Sequence, residues 1–131
     1  MTTKTAKRRQ GDAFETQAVQ ILVAAGLKII AQNYLVAKVG EIDIIAIADK
    51  TVRGRCVREL VFVEVRSRTR SEFGTAIDSI NHAKVQKIRR TAEHFLQAYP
   101  QFADLSIRFD VMAFDIAQDG AITHEWIVSA F

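Results

Sequence analysis

The sequence predicts an α/β fold in which a central mixed β-sheet is flanked by helices. Two segments carry apolar residues at helical spacing, and several short runs are rich in Val, Ile and Phe, which favour β-strands. Along the chain these segments occur in the order helix, three or four strands, helix, two strands. A chain of 131 residues is long enough to bury one core, so we expect a single domain over residues 11–131.

The amino-terminal part combines a basic segment with an amphipathic helix. Residues 1–10 are polar and basic, without the apolar core of a secretory signal, and are predicted to form a flexible arm. A helix is predicted over residues 11–26, because Phe14, Ala18 and Leu22 recur at helical spacing. Glu15 lies at the border of this apolar stripe and has two interpretations. It completes a capping box with Asp12, or it points toward the edge of the sheet.

Two β-forming runs contain carboxylates where acidic residues are uncommon. Asp43 lies in a strand predicted over residues 42–47, and Glu64 lies in a strand predicted over residues 60–68. A buried carboxylate without a partner is costly, so the two acids are either exposed on one sheet face or share a metal ion. If the strands are neighbours, Asp43, Glu64 and the carbonyl of Val65 would offer the hard oxygen ligands that Mg²⁺ prefers, with Mn²⁺ as a substitute.

Alternation along the second of these strands also decides which side chains share a face. It places Val61, Val63 and Val65 on one face, and it places Glu64 and Arg66 on the other, about 7 Å apart. A cation at this position could contact a phosphate group held by the metal.

The remaining segments complete the predicted sheet and its second helix. Short strands are expected over residues 27–30 and 34–39 around a turn at Asn33, followed later by a polar loop over residues 49–58 and a bend at Phe73-Gly74. A helix over residues 81–99 ends at Pro100. Strands over residues 107–114 and 122–128 pair through an Asp119-Gly120 turn. Arg108 and Asp110 share a strand face, so we expect an ion pair between them. Asp110 would join the metal site only if this strand lies beside the strand that carries Asp43.

Cations are clustered although the formal net charge is only +3. Clustered cations beside carboxylates suit a polyanion held near a divalent metal, and a solvated charged face is the other interpretation. In the first interpretation the phosphate-binding side chains are Arg66, Arg68, Lys84 and Lys87. A polyanionic partner such as a nucleic acid is then expected.

Several alternatives find little support. The single cysteine, Cys56, cannot form an internal disulfide, so a reducing cytoplasm is the expected compartment. No apolar run reaches the roughly 20 residues that a membrane span requires, and no membrane partner is expected. The three histidines lack the spacing of a zinc site. Cys56 has no assigned histidine partner for nucleophilic catalysis.

An ordered set of short motifs resembles the YraN family of small bacterial proteins. The motifs are Gly11-Asp12-x-x-Glu15, Asn33-Tyr34, Gly40-Glu41-Ile42-Asp43, Phe62-Val63-Glu64-Val65-Arg66, Phe73-Gly74, Lys84 and Arg108-Phe109-Asp110-Val111. That family is grouped with restriction-endonuclease-like proteins of the PD-(D/E)xK superfamily and is similar to archaeal Holliday-junction resolvases. The resemblance implies a restriction-endonuclease-like fold, a magnesium-dependent nuclease site, branched DNA as substrate and a symmetric homodimer.

By this resemblance Glu15 is the helix-borne acid, Asp43 the metal-binding aspartate and Glu64 the acid of the Glu-x-Lys element. The lysine of that element is replaced by Arg66, which stays protonated and cannot act as a base. Arg66 would stabilise negative charge, and water activation would fall to the metal or to Lys84.

Three function hypotheses follow from these residues and the resemblance. The first is a metal-dependent DNA endonuclease whose catalytic residues are Glu15, Asp43, Glu64 and Arg66. The second is a catalytically inactive nucleic-acid-binding module that keeps the nuclease fold. The third is a protein-interaction scaffold whose charges are simply solvated.

Overall fold

One five-stranded sheet with a helix on either side forms the framework of the described chain. The computed structural model describes residues 6–69 and 76–131. Its helices and strands are α1 (Ala6–Ala24), β1 (Lys28–Val36), β2 (Gly40–Val52), β3 (Arg55–Thr69), α2 (His82–Ala98), β4 (Ser106–Ile116) and β5 (Ile122–Ile127). Strand order follows the sequence, and only the β3–β4 pair is parallel. The predicted α/β class with a mixed sheet is therefore confirmed.

Helix α1 covers one face of the sheet through an apolar stripe. Phe14, Ala18 and Leu22 are buried against residues of β2, β3 and β4, and the Phe14 ring stacks on Phe114 with 4.7 Å between ring centroids. The helix begins at Ala6 and not at the predicted position 11, so it includes residues that were assigned to the arm. Those residues are good helix formers, and a polar composition indicates exposure to solvent without excluding a helix.

Two of the predicted element boundaries are wrong for the same physical reason. β1 is one continuous strand, in which Asn33 has a φ of 52°, and not two strands around a turn. The polar segment 49–58 is no loop, because β2 and β3 continue as a two-stranded ribbon to a turn at Arg53-Gly54. Antiparallel pairing satisfies the main-chain groups of such a ribbon even where its side chains are polar and exposed.

Helix α2 packs on the opposite face, and its predicted span is confirmed. The Asn81 side chain caps its first turn by accepting a hydrogen bond from the Lys84 N–H at 2.9 Å. Gly40, at the start of β2, permits a close approach of this helix, because a Cβ atom there would lie 2.8 Å from Thr91 Oγ1. The cap and this contact together determine the position of Lys84 relative to the sheet.

The predicted hairpin of β4 and β5 is confirmed, and so is the expected pair of Arg108 and Asp110. Strand β4 pairs with β3 and β5, so Asp110 does not lie beside the strand that carries Asp43. The predicted bend at Phe73-Gly74 lies outside the described residues. Neither helix in the described part of the chain is long and apolar enough to span a membrane.

Candidate functional site

The acidic side chains of β2 and β3 meet where the ladder between these two strands ends. The last residue pair there is Ile44 with Val63, so Asp43 and Glu64 lie immediately beyond it. The Val65 N–H donates to Asp43 Oδ2 at 2.8 Å, and the Asp43 carboxylate interacts electrostatically with the Glu64 carboxyl. The two strands are neighbours, and the two carboxyl groups face each other.

These carboxyls line a pocket of about 190 Å³, which we call the carboxylate pocket. Its charged lining residues are Glu15, Glu41, Asp43, Glu64, Arg66 and Lys84. The carboxylates outnumber the cations, and Glu64 is only 4% exposed. Three chain segments distant in sequence, namely α1, the β2–β3 pair and the first turn of α2, therefore contribute to one site.

Burial raises the pKa of both paired acids. Desolvation, followed by the nearby Asp43 carboxylate, raises the pKa of Glu64 to about 8, against the opposing effects of Lys84 and Arg66. Desolvation also raises the pKa of Asp43, against the opposing effect of the hydrogen bond from Val65. The protein's own cations do not fully compensate this negative charge, a condition that a bound divalent cation relieves.

Glu15 joins the carboxylate pocket from α1. Because α1 begins at Ala6, Asp12 and Glu15 lie inside the helix, and the capping-box interpretation of Glu15 is wrong. Burial, with a smaller effect from the Asp43 carboxylate, raises the pKa of Glu15 to about 7. With its nitrogen turned toward the acids, the Asn33 amide donates to Glu15 Oε2 at 3.0 Å and to Glu41 Oε1 at 3.1 Å.

The donor set fits a magnesium or manganese ion better than a softer metal. Within residues 6–69 and 76–131, no three His, Cys, Asp or Glu side chains are arranged so that they could together hold a metal ion. Mg²⁺ does not require three such side chains, since it binds through one or two carboxylates and keeps several waters. The N–H and C=O of one strand residue point to the same side, so the Val65 carbonyl projects toward Asp43 as its N–H does.

The two cations of the pocket are held differently. Lys84 Nζ lies 3.4 Å from Glu64 Oε1 and is about one-third exposed. Arg66 Nη2 donates to the Ser79 carbonyl at 3.1 Å, and its Nη1 is 3.7 Å from Glu64 Oε1. The buried Arg66 Nε has no hydrogen-bond acceptor among the described residues. Lys84 is thus the more accessible cation, while Arg66 also braces the segment that leads into α2.

The other two predicted phosphate-binding residues lie next to the pocket but do not line it. Arg68 lines an adjoining groove of about 270 Å³, together with Arg66, Ser67 and Thr69, which we call the arginine groove. Lys87 is exposed one turn beyond Lys84 on α2. Both positions are compatible with contacts to the phosphates of a nucleic-acid backbone that enters the pocket.

The prediction missed three residues that help to form the site. Glu41 precedes Asp43 by two residues, the spacing that places strand side chains on one face, and this signal was available. Asn33 was assigned to a turn, and its contact with the acids depends on the pairing of β1 with β2. Gly11 lines the pocket from α1; it belongs to the Gly11-Asp12-x-x-Glu15 motif, but no role at the site was assigned to it.

The five-stranded mixed sheet with its two flanking helices is consistent with the restriction-endonuclease-like class of fold. A family model described as "Uncharacterised protein family UPF0102" matches residues 14–114. The chain belongs to this family, which is the YraN family, and the resemblance seen in the sequence is confirmed.

Similar proteins occur in several bacteria. The chain is 39% identical over 130 residues to the UPF0102 protein of Psychrobacter sp. PRwf-1, covering 95% of this chain and 89% of that protein. It is 39% identical to the UPF0102 protein of Pseudomonas fluorescens, covering 94% and 92% of the two chains. It is 43% identical to the UPF0102 protein of Psychrobacter cryohalolentis, covering 83% of this chain but 61% of that protein.

Proposed function

We propose that this protein is a divalent-metal-dependent endonuclease that hydrolyses phosphodiester bonds in DNA. The observation that carries this proposal is the Asp43–Glu64 carboxyl pair, which lies beside Lys84 and Arg66 in one pocket. Asp43, Glu64 and the Val65 carbonyl would hold Mg²⁺, or Mn²⁺ in its place. Such an ion supplies Lewis-acid activation of water and of the phosphate.

The protein's own side chains divide the remaining work. Arginine stays protonated, so Arg66 contributes positive charge and cannot remove a proton. Lys84 is accessible and close to Glu64, and it can bind a phosphate oxygen and stabilise developing negative charge. With a pKa of about 7, Glu15 is suited to exchange protons with water near neutral pH.

Affinity for the nucleic acid would come from cations around the pocket. Arg66 and Arg68 line the arginine groove, and Lys84 and Lys87 follow each other on α2. Each phosphate that such a cation neutralises releases counterions, so DNA binding should weaken steeply as the salt concentration rises. The acids alone would repel DNA, which makes bound metal a condition for productive binding.

Cleavage assays with the purified full chain test the proposal. A four-way junction and a linear duplex are each incubated with Mg²⁺, with Mn²⁺ or with EDTA, using the wild type, Asp43→Ala and the matched control Asp104→Ala, whose aspartate is exposed outside the pocket. We expect metal-dependent product from the wild type and the control, and none from Asp43→Ala. Absence of product with every metal, or equal product from Asp43→Ala, contradicts the proposal. Faster cleavage of the junction would establish a preference for branched DNA.

A second candidate function is a nucleic-acid-binding module without turnover. The specific observation in its favour is Arg66, which stands where the nuclease motif has lysine and which is engaged with the Ser79 carbonyl. This alternative predicts salt-sensitive DNA binding without product. Binding should be lost when Arg66, Arg68 and Lys84 are all changed to Glu. Retained binding in that triple variant would argue against both candidates.

A further inference from the structure

Gly11 is the one described glycine that neither the backbone nor the packing of the described residues explains. It lies within α1, where glycine is among the least favoured residues. Its φ is not in the left-handed region, and a Cβ atom at Gly11 would meet no atom of the described residues within 4 Å outside its own helix backbone and chain neighbours. Gly40 is different, because a Cβ atom there would press on Thr91 Oγ1. The other three described glycines have positive φ values.

The position of Gly11 suggests what the missing side chain would obstruct. Gly11 lines the carboxylate pocket, and it also lines the arginine groove. These two cavities additionally share Val65, Arg66 and Ser67. A Cβ atom at Gly11 would enter open space at the border that these two cavities share.

A third cavity also reaches Gly11, and its charge distinguishes it from the arginine groove. This acidic cavity, of about 180 Å³, is lined by Gly11, Asp12, Glu15, Asn33 and Glu41. The arginine groove is lined by two arginines and, among the described residues, by no carboxylate. A nucleic-acid backbone that leaves the carboxylate pocket would therefore be repelled by the acidic cavity and attracted by the arginine groove.

We propose that the absence of a side chain at Gly11 leaves room for a nucleic-acid backbone, a role that we call clearance. The backbone passes Gly11 on its way from the carboxylate pocket into the arginine groove. One phosphate group lies at Asp43 and Glu64, and a neighbouring phosphate of the same strand lies between Arg66 and Arg68. This inference rests on the proposed function, and it adds a subsite and a direction for the bound strand. Gly11 acts by leaving space and contacts no reacting atom.

Substitution of Gly11 should affect stability and DNA binding in opposite directions. Gly11→Ala and Gly11→Leu both improve helix propensity, so we expect the Tm to rise by about 3 °C. Gly11→Ala should weaken DNA binding, and Gly11→Leu should lower kcat/KM on the order of 100-fold by displacing the strand. Mn²⁺ affinity should remain at the wild-type value, because the ligands at Asp43 and Glu64 are intact. Gln17→Leu, at an exposed position of α1 outside these cavities, is the matched control and should bind DNA as the wild type does.

The outcomes separate this inference from the function on which it rests. Wild-type binding and cleavage together with an unaffected Gly11→Leu variant would overturn the clearance role and leave the nuclease proposal standing. A lower Tm in Gly11→Ala would show that protein atoms require this glycine, and would overturn the inference as well. A wild type that binds no DNA at any salt or metal concentration removes the proposed function, and the inference falls with it.

Discussion

The sheet carries largely buried carboxylates at two places, at Asp110 and at the Asp43–Glu64 pair. The two places differ in how far neighbouring groups compensate the negative charge. Asp110 is fully buried and accepts hydrogen bonds from Arg108, from the Trp126 indole at 3.0 Å and from the Ser129 N–H at 3.0 Å. Asp43 receives the Val65 N–H, but it also lies beside a second carboxyl, that of Glu64. Asp110 is thus fully surrounded by donors, whereas Lys84 and Arg66 compensate the charge of the Asp43–Glu64 pair only in part.

This difference separates a structural acid from a candidate functional one. The donors to Asp110 come from β4 and from the chain at and beyond β5, so that carboxylate holds the carboxy-terminal part of the protein to the sheet. The Asp43–Glu64 pair has an accessible pocket in front of it and a raised pKa at both groups. Burial raises the pKa of both carboxyls in the metal-free fold, and a bound cation would offset that effect.

The largest expected effect is on activity in Asp43→Asn. The variant removes one anionic ligand while an amide oxygen can still accept the Val65 N–H, so cleavage should fall on the order of 10⁴-fold. The free energy of unfolding in EDTA should not fall, because repulsion with Glu64 is relieved. Cleavage kinetics and urea denaturation measure the two quantities, and a marked loss of stability would place Asp43 with Asp110 as a structural acid.

Asp110→Ala should show the reverse pattern. It leaves the Arg108 guanidinium without its main partner in a buried setting, which costs about 3–5 kcal/mol of unfolding free energy. Urea denaturation should detect this loss, while cleavage by the fraction that remains folded should stay near the wild-type rate. A stable variant that has lost Mn²⁺ binding would contradict the division between the two sites.

The pH dependence of stability should distinguish wild type from Glu64→Gln in EDTA. The pKa of Glu64 is raised to about 8 in the folded protein. Between the ordinary pKa of a glutamate and pH 8, the folded state therefore binds more protons than the unfolded state. Stability therefore falls as the pH rises through this interval, by an expected few kcal/mol. Glu64→Gln should show a flatter profile in denaturation curves at pH 5.5, 7 and 8.5. Identical slopes would mean that Glu64 is not held protonated by its surroundings.

The smallest effect is expected when the position of α2 is disturbed. In Gly40→Ala the new Cβ would lie 2.8 Å from Thr91 Oγ1, which should cost about 1–3 kcal/mol and move Lys84 away from Glu64. The double variant with Thr91→Ala removes the opposing atom and should be less destabilised than the sum of the single variants. Additive losses in thermal denaturation would show that the Gly40–Thr91 contact does not set the helix position.

Local patterns predicted much of the fold because each depends on neighbours in the sequence. The apolar stripes of both helices and the Asp119-Gly120 turn reflect helical periodicity and turn chemistry, which do not require the rest of the chain. Alternation along β3 placed Glu64 and Arg66 on the face that carries Phe62, and the structure places Phe62 in the cluster on the α2 side. The ends of β2 and β3 were missed, because pairing with another strand extended both through polar residues.

The sequence by itself determined the α/β class, the family and the unusual carboxylates at positions 43 and 64, since these follow from residue identity and spacing. Only the tertiary structure decided that Glu15 faces the carboxylate pocket and does not cap a helix, and that Lys84 reaches Glu64 from α2. Those contacts join residues that are far apart along the chain. Strand pairing and the Gly40–Thr91 contact determine their geometry, and no local pattern encodes that distance.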